Sequence, residues 1–269
     1  MKLTRHCGMA AIVVFAAACG STASQSKRPA APATSPRTPS AHDMSSMTGH
    51  DAKTMKPAVI PKALAVRADG TFDPAKISLA GIDGVTPAEQ SSAEALLRKT
   101  VKILPRWSDT AVAAHDGFHA IGDALTGDEH WIHWDWINDT TILDPNKPEA
   151  LVYHVDEATQ KRTLEAVMFL LPDRYTFDNL PDVGGKLVQF HIHNNLCFTN
   201  TVPAPQVAGL TDGQGKCPAP LVKFRNNVMM HVWIRPNPCG PFAALENVGA
   251  GQIKPGDTRA CDTMHGSSL

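Results

Sequence analysis

Five short runs in the second half of the chain constrain its fold more than any other feature. HWIHWDWI (130–137), ALVYHV (150–155), TLEAVMFLL (163–171), LVQFHIHNNLCF (187–198) and VMMHVWI (228–234) are rich in aromatic and β-branched residues. Clusters of Pro, Gly, Asn and Asp separate them, which is the pattern of strands joined by turns. The series predicts a mainly β fold, an antiparallel sandwich or barrel. Ahead of it the pattern is helical. Thr86 can cap, Pro87 suits a first turn, and Glu89 stands three residues after the cap, where a capping box wants it. Ala93, Leu96, Leu97, Val101 and Leu104 then recur at helical spacing until Pro105. A second helix is expected from Ser108 or Asp109 to Gly122. The two helices should cover the β region as its N-terminal part.

The first nineteen residues bear on the compartment. Lys2 and Arg5 are followed by an apolar run from Met9 to Ala18 that is too short to span a bilayer and has the flanks of a signal peptide. Ala16, Ala17 and Ala18 precede Cys19. A small-residue run ending at a cysteine resembles the lipobox of bacterial lipoproteins, although that family usually has Leu where Ala16 stands. The resemblance implies removal of residues 1–18, lipidation of Cys19 and attachment to the outer face of the cell membrane. Ordinary signal cleavage before Cys19 is the alternative, and it also exports the chain.

Residues 20–41 are Ser, Thr, Ala and Pro with scattered basic residues, a composition that cannot bury apolar surface and reads as a tether. Within the linker that runs to residue 57, His42, Met44, Met47, His50 and Met55 gather thioether and imidazole ligands suited to copper. The leader carries +2 and residues 20–57 carry +3. Taken from the total of −1, they leave −6 for the globular part, residues 58–269. So acidic a domain lacks the footprint for nucleic acid. Cys197, Cys217, Cys239 and Cys261 remain in that part. An even number in an oxidising compartment predicts two disulfides, of which three pairings are possible. Cys197–Cys217 and Cys239–Cys261 are favoured, because each closes a short Gly- and Pro-rich loop. A four-cysteine zinc site would need closer pairs.

The histidines carry most of the chemistry. Alternate residues of a strand share a face, so His191 and His193 point one way together with Gln189 and Asn195. In 228–234, Met229, His231 and Trp233 oppose the aliphatic face of Val228, Met230, Val232 and Ile234. If the two strands neighbour each other, three imidazoles converge, a ligand set for Zn, Fe, Cu, Mn or Ni. Glu165, in an otherwise apolar run, is the carboxylate expected to join them. His115 and His119 stand four apart on the predicted second helix, without the glutamate of a zinc-protease motif, and read as a surface pair. His130, His133 and Asp135 read as the polar edges of an aromatic packing strand, and His154 as a hydrogen-bonded core histidine. There is no GxSxG elbow, P-loop or GxGxxG after a strand.

HIH on one strand with a histidine on a later one resembles the cupin metal site. The resemblance implies a β-barrel holding a transition metal (Cu, Zn, Fe or Mn). It departs from the cupin pattern where Cys197 and Phe198 occupy the usual glutamate positions, so Glu165 would replace that ligand. QFHIHNNLCF and HVWIRPNPCGPFA are also similar to secreted proteins of high-GC Gram-positive bacteria, a likeness that implies export. The leading functional expectation is a cell-surface lipoprotein that binds copper or zinc for buffering or delivery. The alternative is a cupin-type metalloenzyme acting on a small molecule, and the blandest is a lipoprotein whose histidines are incidental.

Overall fold

A computed structural model describes residues 64–124, 127–137, 139–244 and 252–263. Cys19 and the Met/His segment with His42, Met44, Met47, His50 and Met55 lie outside the described residues.

Helix α1 (Pro87–Ile103) starts as its sequence dictates. Glu89 N–H donates to Thr86 Oγ1 at 3.2 Å, and Thr86 N–H donates to the Glu89 carboxylate at 2.6 Å. Its buried stripe, Ala93, Leu96, Leu97 and Val101, packs with Trp107, Val167, Phe169 and Val232. Helix α2 (Thr110–His115) is shorter than predicted. Gly117 adopts φ +98°, and Phe118 N–H closes on Ala113 O, the left-handed termination that glycine favours. The chain then enters a strand, so His115 and His119 do not share a helical face.

Among the described residues ten antiparallel strands follow: β1 (His119–Ala120), β2 (Asp128–Ile132), β3 (Ala150–Val155), β4 (Arg162–Leu170), β5 (His191–Ile192), β6 (Leu196–Phe198), β7 (Val207–Leu210), β8 (Val222–Lys223), β9 (Met229–Trp233) and β10 (Gln252–Ile253). Seven form one sheet in the order β1-β2-β3-β4-β9-β5-β10, and three form a second in the order β7-β6-β8. The protein is therefore mainly β with N-terminal helices, as the strand-like runs predicted. The large sheet is not a closed barrel, since β1 and β10 remain its edges among the described residues.

The predicted strand over 187–198 is broken. His191–Ile192 joins the large sheet, the chain leaves it through Asn194 and Asn195, and Leu196–Phe198 joins the small one. The run at 130–137 ends as a strand at Ile132, and His133 begins a turn closed by Trp136 N–H to His133 O. His133 and Asp135 therefore do not share a strand face.

One face of the large sheet, carrying Leu151, Tyr153, Val167, Phe169 and Val232, is covered by α1 and the turn at Leu104–Trp107. The other carries Ala150, Val152, Ala166, Met168, Leu170 and Met229, and Phe198 of the small sheet packs there. Both favoured disulfides are present, Cys197–Cys217 and Cys239–Cys261, closing separations of 20 and 22 residues.

Candidate metal centre

The strand register brings the histidines together. His231 on β9 lies opposite Met168 of β4, and Met229 lies opposite His191 of β5. Alternation then puts His191 and His231 on the face of Met168 and Met229. Both are fully buried. Their ring centres are 4.9 Å apart, and His193 follows at 5.2 Å from His191. Two imidazoles sharing a tetrahedral ion, with metal–nitrogen distances of ~2.0–2.1 Å, hold their ring centres roughly 5 Å apart. The observed spacings match that requirement.

His130, read from the sequence as the edge of a packing strand, belongs to the same constellation. It lies opposite Val152, which lies opposite Ala166, which lies opposite Trp233. Three strand spacings would separate β2 from β9 by about 14 Å in a flat sheet. The His130 and His231 ring centres are only 6.1 Å apart, so the sheet curls toward this face and both side chains lean inward. Small side chains between them, Ala150, Val152 and Ala166, leave the space. The signal for His130 was present in DEHWI, whose alternation places Asp128, His130 and Ile132 on one face.

Hydrogen bonds orient two of these rings, His231 and His130. His231 Nδ1 lies 3.1 Å from the carbonyl oxygen of Ala244, which can only accept, so Nδ1 carries the proton and Nε2 the lone pair. His130 Nδ1 lies 2.6 Å from Asp123 Oδ2, and its backbone N–H donates to Asp123 Oδ1 at 2.9 Å. A carboxylate or carbonyl behind the distal nitrogen is the usual support of a metal-liganding imidazole. Gln189, fully buried, ties this framework to the C-terminal segment. Its amide donates to Asp262 Oδ2 at 2.9 Å and to Asp257 O at 2.9 Å, and its oxygen accepts from Ala244 N–H at 3.2 Å.

Glu165 does not join the histidines. A register shift between Val152 and Tyr153 makes Ala166 pair with Val152 and Leu164 with Tyr153, so Glu165 is the extra residue of a β-bulge. Its carboxylate groups instead with Asp128 and His154, the three ligand atoms lying within 4.8 Å of one another. Burial, and then the Asp128 charge, push the Glu165 carboxyl pKa up. His154 is not a core residue, since half of its side chain is exposed, and its Nδ1 lies 3.4 Å from Asp128 Oδ1. His133 stacks on Trp136 with ring centres 3.7 Å apart, and burial depresses its pKa.

A cavity of about 240 Å³ lies beside the small sheet, lined by Trp134, Ile137, Phe198, Phe224, Lys223 and Asn227 among others. Compared with protein-family models, curated proteins and solved structures, the chain has no match.

Proposed function

We propose that this protein is an exported, membrane-anchored lipoprotein that binds one transition-metal ion through His191, His193 and His231, with His130 as a fourth imidazole held by Asp123. The observation that carries the reading is the spacing of buried rings, 4.9 Å for His191–His231 and 5.2 Å for His191–His193. The tautomer of His231 supports it, because Nε2 is left as the nitrogen able to ligate. Imidazole ligands favour zinc and copper, which fits metal buffering or delivery at the cell surface. Two disulfides and the apolar leader ending at Cys19 support export and the lipid anchor. The Met/His segment at 42–55 would serve as an accessory acceptor for copper.

The cavity lined by Trp134, Phe198 and Phe224 favours a second reading, a cupin-type metalloenzyme, since an enzyme needs room for a small molecule near its metal. Met168 and Met229, which lie opposite the histidines, belong to the same apolar cluster as Ile137 and Phe198 of the cavity wall.

Elemental analysis of the chain, purified from an oxidising compartment without a histidine tag or chelator, tests the proposal. One equivalent of metal, lost in His191→Ala and in His231→Ala, is the expected result. No metal after incubation with Cu, Zn, Fe and Mn salts would overturn it.

A further inference from the structure

We propose that the cavity beside the small sheet is a binding site for a small phenolic carboxylate, one aromatic ring with a hydroxyl at one end and a carboxylate at the other. Its walls are aromatic. Phe198 of β6 and Phe224, the residue after β8, have ring centres 5.1 Å apart, and Trp134 meets them edge-on at 6.3 and 6.1 Å. Such rings attract a further flat ring, edge-to-face or offset, beyond what burial alone gives. The volume is about 240 Å³. A dry cavity of ~150 Å³ holds one benzene, so this space takes a single ring with short substituents and no second ring. Strand pairing sets Cys197 opposite Lys223 and Phe198 opposite Val222, and the Cys197–Cys217 bridge ties β6 to the loop ahead of β8. Aromatic wall and cationic mouth therefore belong to one pre-formed unit.

Polar groups of the lining residues specify the rest of the ligand. Asn227 is only 3% exposed. Its amide nitrogen donates to Leu171 O at 2.9 Å and to Asp173 Oδ1 at 3.0 Å, which fixes the amide and turns Oδ1 away from both. Among the described residues Asn227 Oδ1 has nothing to accept from, and the buried indole N–H of Trp134 has no acceptor. Buried polar atoms are costly when left so. A phenolic hydroxyl has the chemistry for both, donating to Asn227 Oδ1 and accepting from Trp134 Nε1. The opposite end faces the mouth. Lys223 is exposed there, and its ammonium lies 3.3 Å from Gly215 O, a neutral carbonyl, with no carboxylate paired to it among the described residues. Arg225 is engaged with Asp173 at 3.3 Å, so Lys223 is the charge assigned to the ligand's carboxylate. The inference goes beyond the metal reading, because none of these groups is a proposed metal ligand.

The test is calorimetric titration of the full chain with 4-hydroxybenzoate, benzoate and phenol. One 4-hydroxybenzoate per chain is expected. Benzoate lacks the hydroxyl and phenol the carboxylate, and each should bind roughly tenfold more weakly, since each leaves a polar group of the site unanswered. Lys223→Glu changes an exposed side chain and should unfold as the unsubstituted chain does. It should weaken 4-hydroxybenzoate by about fivefold or more and leave phenol unchanged. Trp134→Phe keeps a ring, removes the N–H and should narrow the gap between 4-hydroxybenzoate and benzoate. Binding should be the same after a chelator has stripped any metal, so that failure of the histidine centre and failure of this site are read separately. The proposal is overturned if 4-hydroxybenzoate does not bind at millimolar concentration, or if Lys223→Glu binds it as the unsubstituted chain does. It is equally overturned if binding vanishes with the chelator, which would put the carboxylate on the metal, or if phenol binds as tightly, which would leave an apolar cavity only.

Discussion

Asp123 reaches the proposed metal only through His130, and its substitution separates a liganding His130 from a merely adjacent one. Asp123→Asn keeps the shape but weakens the 2.6 Å contact that orients the ring. A supporting carboxylate of this kind is worth about 10–100-fold in affinity. Competition with a zinc chelator should therefore show a loss of that order for Asp123→Asn and a larger one for His231→Ala. An unchanged affinity would remove His130 from the ligand set. Glu149 answers to pH instead. It is 2% exposed, and burial pushes its carboxyl pKa up from 4.5 to about 8. A folded-state value above the unfolded one means that its contribution is fully present below about pH 4.5 and is lost as pH rises through about 8. At pH 7 the resulting penalty is about 3 kcal/mol, at ~1.4 kcal/mol per pH unit above 4.5. Glu149→Gln should accordingly stabilise the fold by up to about 3 kcal/mol at pH 7 and by almost nothing at pH 4.5. Urea unfolding at the two pH values measures the difference, and an equal effect at both would show that Glu149 is not held neutral.

The elements divide into those that sequence periodicity can find and those that it cannot. Helix α1 and strands β3, β4 and β9 were readable because each carries one unbroken apolar rhythm, and the faces of Met229, His231 and Trp233 against Met230 and Val232 follow from alternation alone. The break at Asn194–Asn195 was hidden, since the residues on either side continue the strand pattern while pairing with different sheets. Glu165 was misplaced for a related reason. A bulge is set by pairing with the neighbouring strand, and nothing in TLEAVMFLL announces it. The pairing His191–His193–His231 was inferable, but the inclusion of His130 depends on how strongly the sheet curls, a tertiary property. The C-terminal turn Ala260–Thr263 is another element whose role only contacts reveal. Arg259 donates to Cys239 O at 2.7 Å and to Leu187 O at 3.1 Å, and Asp262 holds Gln189 two residues before His191. The Cys239–Cys261 bridge keeps this turn in place. Replacing both cysteines by Ser should cost about 3 kcal/mol, the entropy of a loop of this length, and should weaken metal binding as well. Chemical denaturation and zinc competition measured on one variant would show both losses. Full metal affinity after removal of the bridge would mean that the turn does not support the histidines.

For the molecule as a whole, a metal bound to the folded state alone must raise its stability, because three strands, β2, β5 and β9, and the chain leaving β5 meet at the imidazoles. Binding adds roughly 4 kcal/mol when free ligand exceeds Kd by about a thousandfold. For a globular part of this size, 1 kcal/mol moves Tm by about 2–4 °C, so removing the metal should lower Tm by about 10 °C. On the proposed reading, the histidine centre holds the stabilising metal and the Met/His segment at 42–55 is an accessory copper acceptor. Deleting residues 20–57 should then leave the chelator-induced fall in Tm unchanged, while His191→Ala should abolish it and start from the lower, metal-free Tm. Calorimetry on the intact chain, the deletion and the His191→Ala variant, each with and without chelator, makes the comparison. A fall that disappears with the deletion would place the stabilising metal in the linker, and one that persists in His191→Ala would place it outside the histidine cluster.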